Sequence, residues 1–173
     1  MLEILYKLLL TLSSTSWVVV IFCIKEEYTL RKIPSIIFGL ILLVISILIS
    51  LVSLLLATKL SKDNFIGCKE IENVNNAFIP TYLGYFFVGL SIGSWHSLVF
   101  VYLIIFVFIL LSQNQYFNPI YLLFGFHFYS ISTNQGSKIL VIARSKVRYA
   151  EDVKFNNLRR INDTTFIELR KIK

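Results

Sequence analysis

Charged residues are scarce in this chain of 173 residues, and the regions without them are long. Asp, Glu, Lys and Arg make up 16% of the sequence, whereas about a quarter of an ordinary soluble domain is charged. Between Asn73 and Ser137 no residue is charged. With 56% hydrophobic residues and a mean hydropathy of +0.72, the chain has more apolar surface than a water-soluble core of this size can hide. Lipid is therefore predicted to be the solvent for much of this surface.

Cysteine and histidine are equally rare, with two residues of each. Cys23 and Cys68 make neither a disulfide framework nor a zinc site by themselves. A metal site needs several convergent ligands, and neither His96 nor His127 has a Cys, Asp or Glu close to it in sequence. The sequence also lacks a P-loop, a G-x-S-x-G elbow, an H-E-x-x-H motif and a paired carboxylate site. We therefore expect no enzyme activity, no metal and no cofactor.

Long apolar runs are what the sequence has in place of charge. A transmembrane helix needs about 20 mostly apolar residues. Four stretches approach or exceed this length, at residues 8–24, 33–58, 74–92 and 95–111. None of them contains Asp, Glu, Lys or Arg, so the ion-coupling carboxylates of secondary transporters are missing. The predicted fold is a membrane all-α bundle of four transmembrane helices in residues 1–115, followed by a small basic β-rich (α+β) cytoplasmic domain in residues 116–173.

A fifth apolar run, residues 116–131, is short and interrupted by a proline and a glycine. It is consistent with an interfacial segment, a re-entrant segment or a strand. With four spans both termini share one side, and the positive-inside bias places that side, with the basic tail, in the cytoplasm. A fifth span would move the tail to the side opposite the N-terminus. The first loop opposes the four-span topology, because Lys25, Arg31 and Lys32 would then lie outside.

The C-terminal tail combines strand patterns with positive charge. Strands are predicted at residues 124–132, 138–143 and 165–172, with turn residues at 133–136. Three interpretations of the charge remain open: a topology signal that also attracts anionic lipids, a surface for docking a partner protein, and nucleic-acid binding. No recognised nucleic-acid module accompanies the charge, so sequence-specific nucleic-acid binding is not expected. The candidate partner or lipid contacts are Arg144, Lys146, Arg148, Lys154, Arg159 and Arg160.

Small residues recur along the second predicted span with a period close to 3.5 residues. Such a stripe lets a neighbouring helix approach closely, and its hydroxyl groups can hydrogen-bond across the contact. It predicts packing within the bundle, a self-association face, or the polar lining of a pore. The stripe consists of Ser35, Gly39, Ser46, Ser50, Ser53 and Ala57.

Four segments carry a resemblance to a known family. They are Asn75-Asn76 leading into Ile79-Pro80-Thr81-Tyr82-Leu83-Gly84, residues 118–129, residues 139–144 and residues 161–167. In pattern and order these segments resemble KwaA, the membrane component of the bacterial Kiwa anti-phage defence system. The resemblance implies a four-span inner-membrane protein that self-associates, as a tetramer, and works with a soluble, DNA-interacting effector, KwaB. It also implies that phage infection is sensed at the envelope and passed to that effector. It carries over no catalytic residue.

Three functions are compatible with these observations. The first is a membrane sensor or scaffold of an anti-phage defence complex, which self-associates and docks a cytoplasmic effector through its basic C-terminal domain. The alternative is a small homo-oligomeric channel or pore-forming protein, with the serine face of the second span lining the path. The third is an inactive subunit or assembly factor of a larger membrane enzyme.

Overall fold

The computed structural model describes residues 2–28, 33–63, 68–112, 118–134, 136–153, 155 and 157–169. This part of the chain contains α-helices and a six-stranded sheet. The helices are α1 (Leu2–Lys25), α2 (Ser35–Ala57), α3 (Ile79–Ser91), α4 (Trp95–Leu111) and α5 (Pro119–Leu123), with 3-10 turns at Asn75–Phe78 and Ala150–Asp152. The strands are β1 (Lys62–Asp63), β2 (Cys68–Asn73), β3 (His127–Thr133), β4 (Lys138–Ala143), β5 (Leu158–Arg160) and β6 (Thr165–Glu168).

The chain folds into two compact units. The helix unit contains residues 7–53 and 77–118, and the sheet unit contains residues 1–6, 54–76 and 119–173. Both α1 and α2 therefore have one end that belongs to the sheet unit and a longer part that belongs to the helix unit.

The lengths of the helices differ from the lengths of the predicted spans. α1 and α2 have 24 and 23 residues and are long and apolar enough to cross a membrane. α3 and α4 have 13 and 17 residues, fewer than the about 20 that a full span needs, so these two crossings are not shown by helix length. The third predicted span began at Val74, but the backbone N–H of Val74 donates to Phe128 O, and residues 75–78 form a 3-10 turn. The helix proper therefore begins only at Ile79.

In the helix unit, α2 and α3 both pack closely against α1. A Cβ on Gly89 of α3 would lie 2.9 Å from Ile21 Cγ2, and a Cβ on Gly39 of α2 would lie 2.7 Å from Ile24 Cγ1. Only glycine lets the helices come this near without displacing those side chains. At the end of α1, the Lys25 ammonium group donates to the carbonyl oxygen of Ile92 at 2.8 Å, which satisfies a carbonyl group where α3 ends.

The sheet is mixed, with strand order β1-β5-β6-β4-β3-β2. β4 and β6 are parallel, and the other neighbours are antiparallel. Its buried side chains include Tyr129 and Ile131 of β3, Val141 of β4 and Leu158 of β5. The two edge strands, β1 and β2, come from the connection between α2 and α3, where no strand was predicted.

The predicted strands of the tail match the sheet in part. β4 has the bounds that the sequence predicted, residues 138–143. β3 begins at His127 rather than at residue 124, because α5 precedes it and Gly125 turns the chain with a φ of +75°. The fifth apolar run thus contains a short helix and the start of a strand. β6 begins at Thr165 as predicted and ends at Glu168; residues 170–172 of the predicted strand lie outside the described residues.

Candidate functional site

Three basic side chains project from the segment that follows β4. Arg144, Lys146 and Arg148 are exposed, and they alternate with Ser145 and Val147, which are partly buried. We call these three residues the cationic ladder. The alternation of basic with other residues is visible in the sequence Arg-Ser-Lys-Val-Arg.

The two intervening residues attach the ladder to the sheet. The hydroxyl group of Tyr129 donates to Ser145 O at 3.1 Å and accepts the backbone N–H of Val147 at 3.2 Å. The Ser145 hydroxyl donates to Oε2 of Glu168 at 2.6 Å. Tyr129 and Glu168 are each 2% exposed, so the anchors belong to the interior of the sheet unit. The backbone of the ladder is therefore held in place before any partner binds.

Aromatic rings support two cations of the ladder. The guanidinium carbon of Arg144 lies 4.7 Å from the ring centroid of Phe126, and that of Arg148 lies 5.7 Å from the ring of Tyr149. Such contacts orient a guanidinium group while leaving its N–H donors available. Within the described ranges, no carboxylate lies at ion-pair distance from a cation of the ladder. The ladder thus presents ordered positive charge that is not neutralised by this part of the chain.

The other candidate basic residues have different surroundings. Nη1 of Arg159 donates to Leu60 O at 2.7 Å. Arg159 therefore links β5 to the segment that follows α2. Arg160 forms an ion pair with Asp163. Lys154 lies outside the described residues. The six basic candidates therefore do not form one patch: three make the ladder, and two lie on β5.

His127 lies on β3 close to the ladder, and its ring is held by Asn75. Oδ1 of Asn75 accepts the backbone N–H of Phe128 at 2.8 Å, and its Nδ2 lies 3.0 Å from Nδ1 of His127. Because the amide oxygen is already occupied by the backbone, the amide nitrogen faces the ring, and Nδ1 must accept. Partial burial, with a contribution from the charge of Lys146, lowers the pKa of His127 below its usual value. The arrangement favours a neutral imidazole.

The described residues offer no metal centre, since no group of three or more His, Cys, Asp or Glu side chains is placed to bind an ion within them. Burial raises the pKa of the Cys68 thiol, which disfavours the nucleophilic thiolate.

Most residues of the small-residue stripe of α2 are buried. Gly39, Ser46, Ser50, Ser53 and Ala57 are buried, and Ser35 is half-buried. Two of the serines bond to α1: Ser50 Oγ is 2.5 Å from Ser13 Oγ, and Ser46 Oγ is 2.7 Å from Ser16 Oγ. These contacts are what packing between helices requires.

Asn118 completes this network, which the sequence did not indicate. Its side-chain amide donates to the hydroxyl oxygens of Ser13 and Ser50, at 3.0 and 3.3 Å, and the residue is fully buried. Asn118 precedes α5 and is far from both serines in sequence. No local pattern could have placed it there, because its partners are set by the packing of α1 against α2.

Comparison with known proteins agrees with the resemblance seen in the sequence. A family model described as anti-phage protein KwaA matches residues 6–167, which is nearly the whole chain. No curated protein and no solved structure matches. The family match extends the resemblance from the C-terminal segments to the helices before them. The chain belongs to the KwaA family of anti-phage proteins.

Proposed function

We propose that this anti-phage protein is a four-span scaffold in the bacterial inner membrane that docks a cytoplasmic effector through the cationic ladder. The observation that carries the proposal is the ladder itself. Its three exposed cations have no ion pair among the described residues, and Tyr129 and Glu168 hold the segment that carries them. We propose no catalytic activity for the chain. The effector, and not this protein, would carry out the reaction that stops the phage.

Membrane insertion is supported by α1 and its two ends. Tyr6 and Lys25 are about 28 Å apart along the helix, which is close to the thickness of the hydrocarbon core. Near Lys25 the rings of Phe22 and Tyr28 pack on Trp95, with centroids 5.0 and 5.1 Å apart. Aromatic and basic residues of this kind are enriched where a transmembrane helix meets the headgroups.

The sheet constrains the topology. β1 and β2 follow α2, whereas β3 to β6 follow α4, yet all six strands share one sheet. A sheet cannot extend through the bilayer, so the ends of α2 and α4 must lie on the same side. If α1 and α2 cross, α3 and α4 must cross together as a hairpin or not at all.

The ladder fits an acidic partner. Arg and Lys bind carboxylates by charge-assisted hydrogen bonds, and Arg can do so with two parallel bonds. Three exposed cations within five residues can bind a segment that carries more than one carboxylate. The partner that the family resemblance implies is an effector such as KwaB. We further propose that the protein self-associates, with a tetramer suggested by the same resemblance.

Affinity purification tests the docking proposal. Tagged full-length protein is purified in mild detergent from its native host, with and without phage, and co-purified proteins are quantified. The variant R144Q/R148Q should lose the effector, while K69Q/K138Q, which removes the same charge from exposed lysines outside the ladder, should retain it. If both variants retain the effector and the protection from phage, the ladder is not the docking surface.

The pore alternative has less support from the structure. The serine face that would line a path is buried, and its hydroxyl groups bond to α1 and to Asn118. The variants S46L and S50L test it in reconstituted bilayers. Conductance by the wild-type oligomer that these variants abolish would establish the pore and replace the scaffold proposal.

A further inference from the structure

A second group of cations lies immediately after α2, on the neighbouring strands β1 and β5. In the sheet these two strands are at the edge opposite to β2. Lys59 and Lys62 follow the last residue of that helix, Ala57, within five positions. Both lysines are exposed. Their ammonium groups have no acceptor among the residues that the structure describes, so their charge is available to an external anion.

Two arginines from the far end of the chain join these lysines. β1 pairs antiparallel with β5, in a register that places Lys62 opposite Arg159. The backbone N–H of Arg160 donates to Ser61 O at 3.0 Å, and Arg159 Nη1 donates to Leu60 O at 2.7 Å. The pairing therefore gathers four cations around the segment that leaves α2. We call Lys59, Lys62, Arg159 and Arg160 the juxtamembrane patch.

The acids of this region neutralise only part of the patch. Asp163 pairs with Arg160, and Asp63 follows Lys62 on β1. Four cations and two carboxylates leave a positive balance of two charges. Lys59, Lys62 and Arg160 are exposed, and of these three only Arg160 forms an ion pair among the described residues. The patch differs from the cationic ladder in position, since it is bonded to the residues that follow α2 and not to the end of β4.

We propose that the juxtamembrane patch binds the phosphate groups of anionic lipids at the cytoplasmic surface of the bilayer. This inference rests on the proposed crossing of α2, because a helix that ends at Ala57 would place Lys59 at headgroup level. Lys side chains at such a position extend along the interface and keep their charge in water. The anionic leaflet attracts each cation near its surface, and Arg159 fixes the strand pair that carries them.

The consequence is a second attachment of the sheet to the membrane surface. β5 is in the same sheet as β6, β4 and β3, so lipid bound to the patch would restrain the whole sheet through backbone hydrogen bonds. The ladder would then be left for a protein partner, and the two basic surfaces would have different ligands.

Native mass spectrometry of the full-length protein in detergent tests this inference. The protein is titrated with phosphatidylglycerol, with cardiolipin and with zwitterionic phosphatidylcholine, and the dissociation constant of the first bound lipid is measured. At roughly 1 kcal/mol per cation, K59Q/K62Q should weaken binding of the anionic lipids by about 30-fold and leave phosphatidylcholine unchanged. K59R/K62R keeps the charge and should bind like the wild type. R144Q/R148Q removes equal charge from the ladder and should change lipid binding by less than about threefold.

Three outcomes would overturn the inference: equal lipid affinity for K59Q/K62Q and wild type, an equal loss in R144Q/R148Q, or displacement of the lipid by inorganic phosphate or a short oligonucleotide. The last result would show that the patch recognises soluble phosphate groups and not a lipid. Carbonate extraction of the wild-type protein and the same variants from membranes distinguishes a failure of the lipid site from a failure of the proposed membrane scaffold. Loss of the wild-type protein into the soluble fraction would refute the membrane scaffold, whereas a retained K59Q/K62Q with unchanged lipid affinity refutes only the lipid site.

Discussion

Replacing Tyr129 by Phe would test whether the ladder depends on its anchor. The change removes one hydroxyl group and keeps the buried ring. It leaves the backbone N–H of Val147 without its acceptor and the carbonyl group of Ser145 without its donor. At about 1 kcal/mol for each hydrogen bond, the segment should open more readily by about 2 kcal/mol, which is roughly a 30-fold change in the local equilibrium.

Hydrogen exchange measures this directly. The amide of Val147 should exchange about 30-fold faster in Y129F, whereas amides of the paired strand β4 should keep their wild-type rates. Effector binding in the affinity purification should weaken in the same variant, although none of the three cations has been changed.

Tyr149→Phe is the matched control. Tyr149 is 59% exposed, and its ring lies beside Arg148 in both the wild type and the variant. Y149F should leave the exchange of Val147 and the binding of the effector unchanged. If Val147 exchanges at the same rate in Y129F as in the wild type, the hydroxyl group does not hold the ladder. If exchange accelerates but binding does not weaken, an ordered ladder is not what the partner requires.

Three further changes test other parts of the structure. Gly89→Ala should lower the free energy of unfolding by about 1–3 kcal/mol because its Cβ would meet Ile21 of α1. Gly84→Ala is the control, because its Cβ would enter open space and the change should be neutral or slightly stabilising. Thermal unfolding in detergent compares the two variants, and equal melting temperatures would contradict the close approach. Asn118→Ala should cost about 1–3 kcal/mol because it removes two buried hydrogen bonds to the hydroxyl groups of Ser13 and Ser50, whereas Ser91→Ala, on an exposed hydroxyl, should cost little. The lowered pKa of His127 means that the folded sheet unit disfavours the imidazolium, so stability should be complete above the ordinary pKa of about 6.5 and fall as the pH drops through the folded value. H127Q should abolish that part of the pH dependence below the ordinary pKa, and an unchanged profile would show that His127 does not contribute.

Local chemistry was enough to predict some elements of the fold. The β-branched run of β4 follows turn residues directly, and its predicted bounds, residues 138–143, agree with the structure. The length and apolar character of α2 likewise needed no tertiary information. In both cases neighbouring residues alone determine the element.

Other elements depend on partners that are distant in sequence. β1 has only two residues, Lys62 and Asp63, and it is a strand because β5 pairs with it. β2 has a charged sequence with no alternating apolar pattern, and its backbone is satisfied by β3. The late start of α3 has the same cause, because the backbone N–H of Val74 donates to Phe128 O of β3. Single-sequence patterns carry no information about such pairings.

The candidate site shows the same division. The charges of the ladder could be read from the sequence, but their separation from Arg159 and Arg160 could not, because it depends on which strands pair. Tyr129 and Glu168 are ordinary strand residues in sequence. They matter because β3 and β6 flank β4, so that both reach the segment that leaves it.

The two faces of α2 have consequences for self-association. Between helices in lipid the hydrophobic effect gives no attraction, so close packing and hydrogen bonds must supply it. The stripe of α2 provides both to α1, through Gly39 and through the serines that bond to Ser13 and Ser16. If the chain self-associates as we propose, the part of α2 that is open to a second copy is the one where Ile36, Leu40, Val44, Leu48 and Leu55 are exposed. Substituting the serines should then disturb the fold of each protomer before it disturbs an oligomer. Substituting Leu48 or Leu55 should change the oligomer and leave the protomer folded, and cross-linking at graded detergent concentrations would separate the two effects.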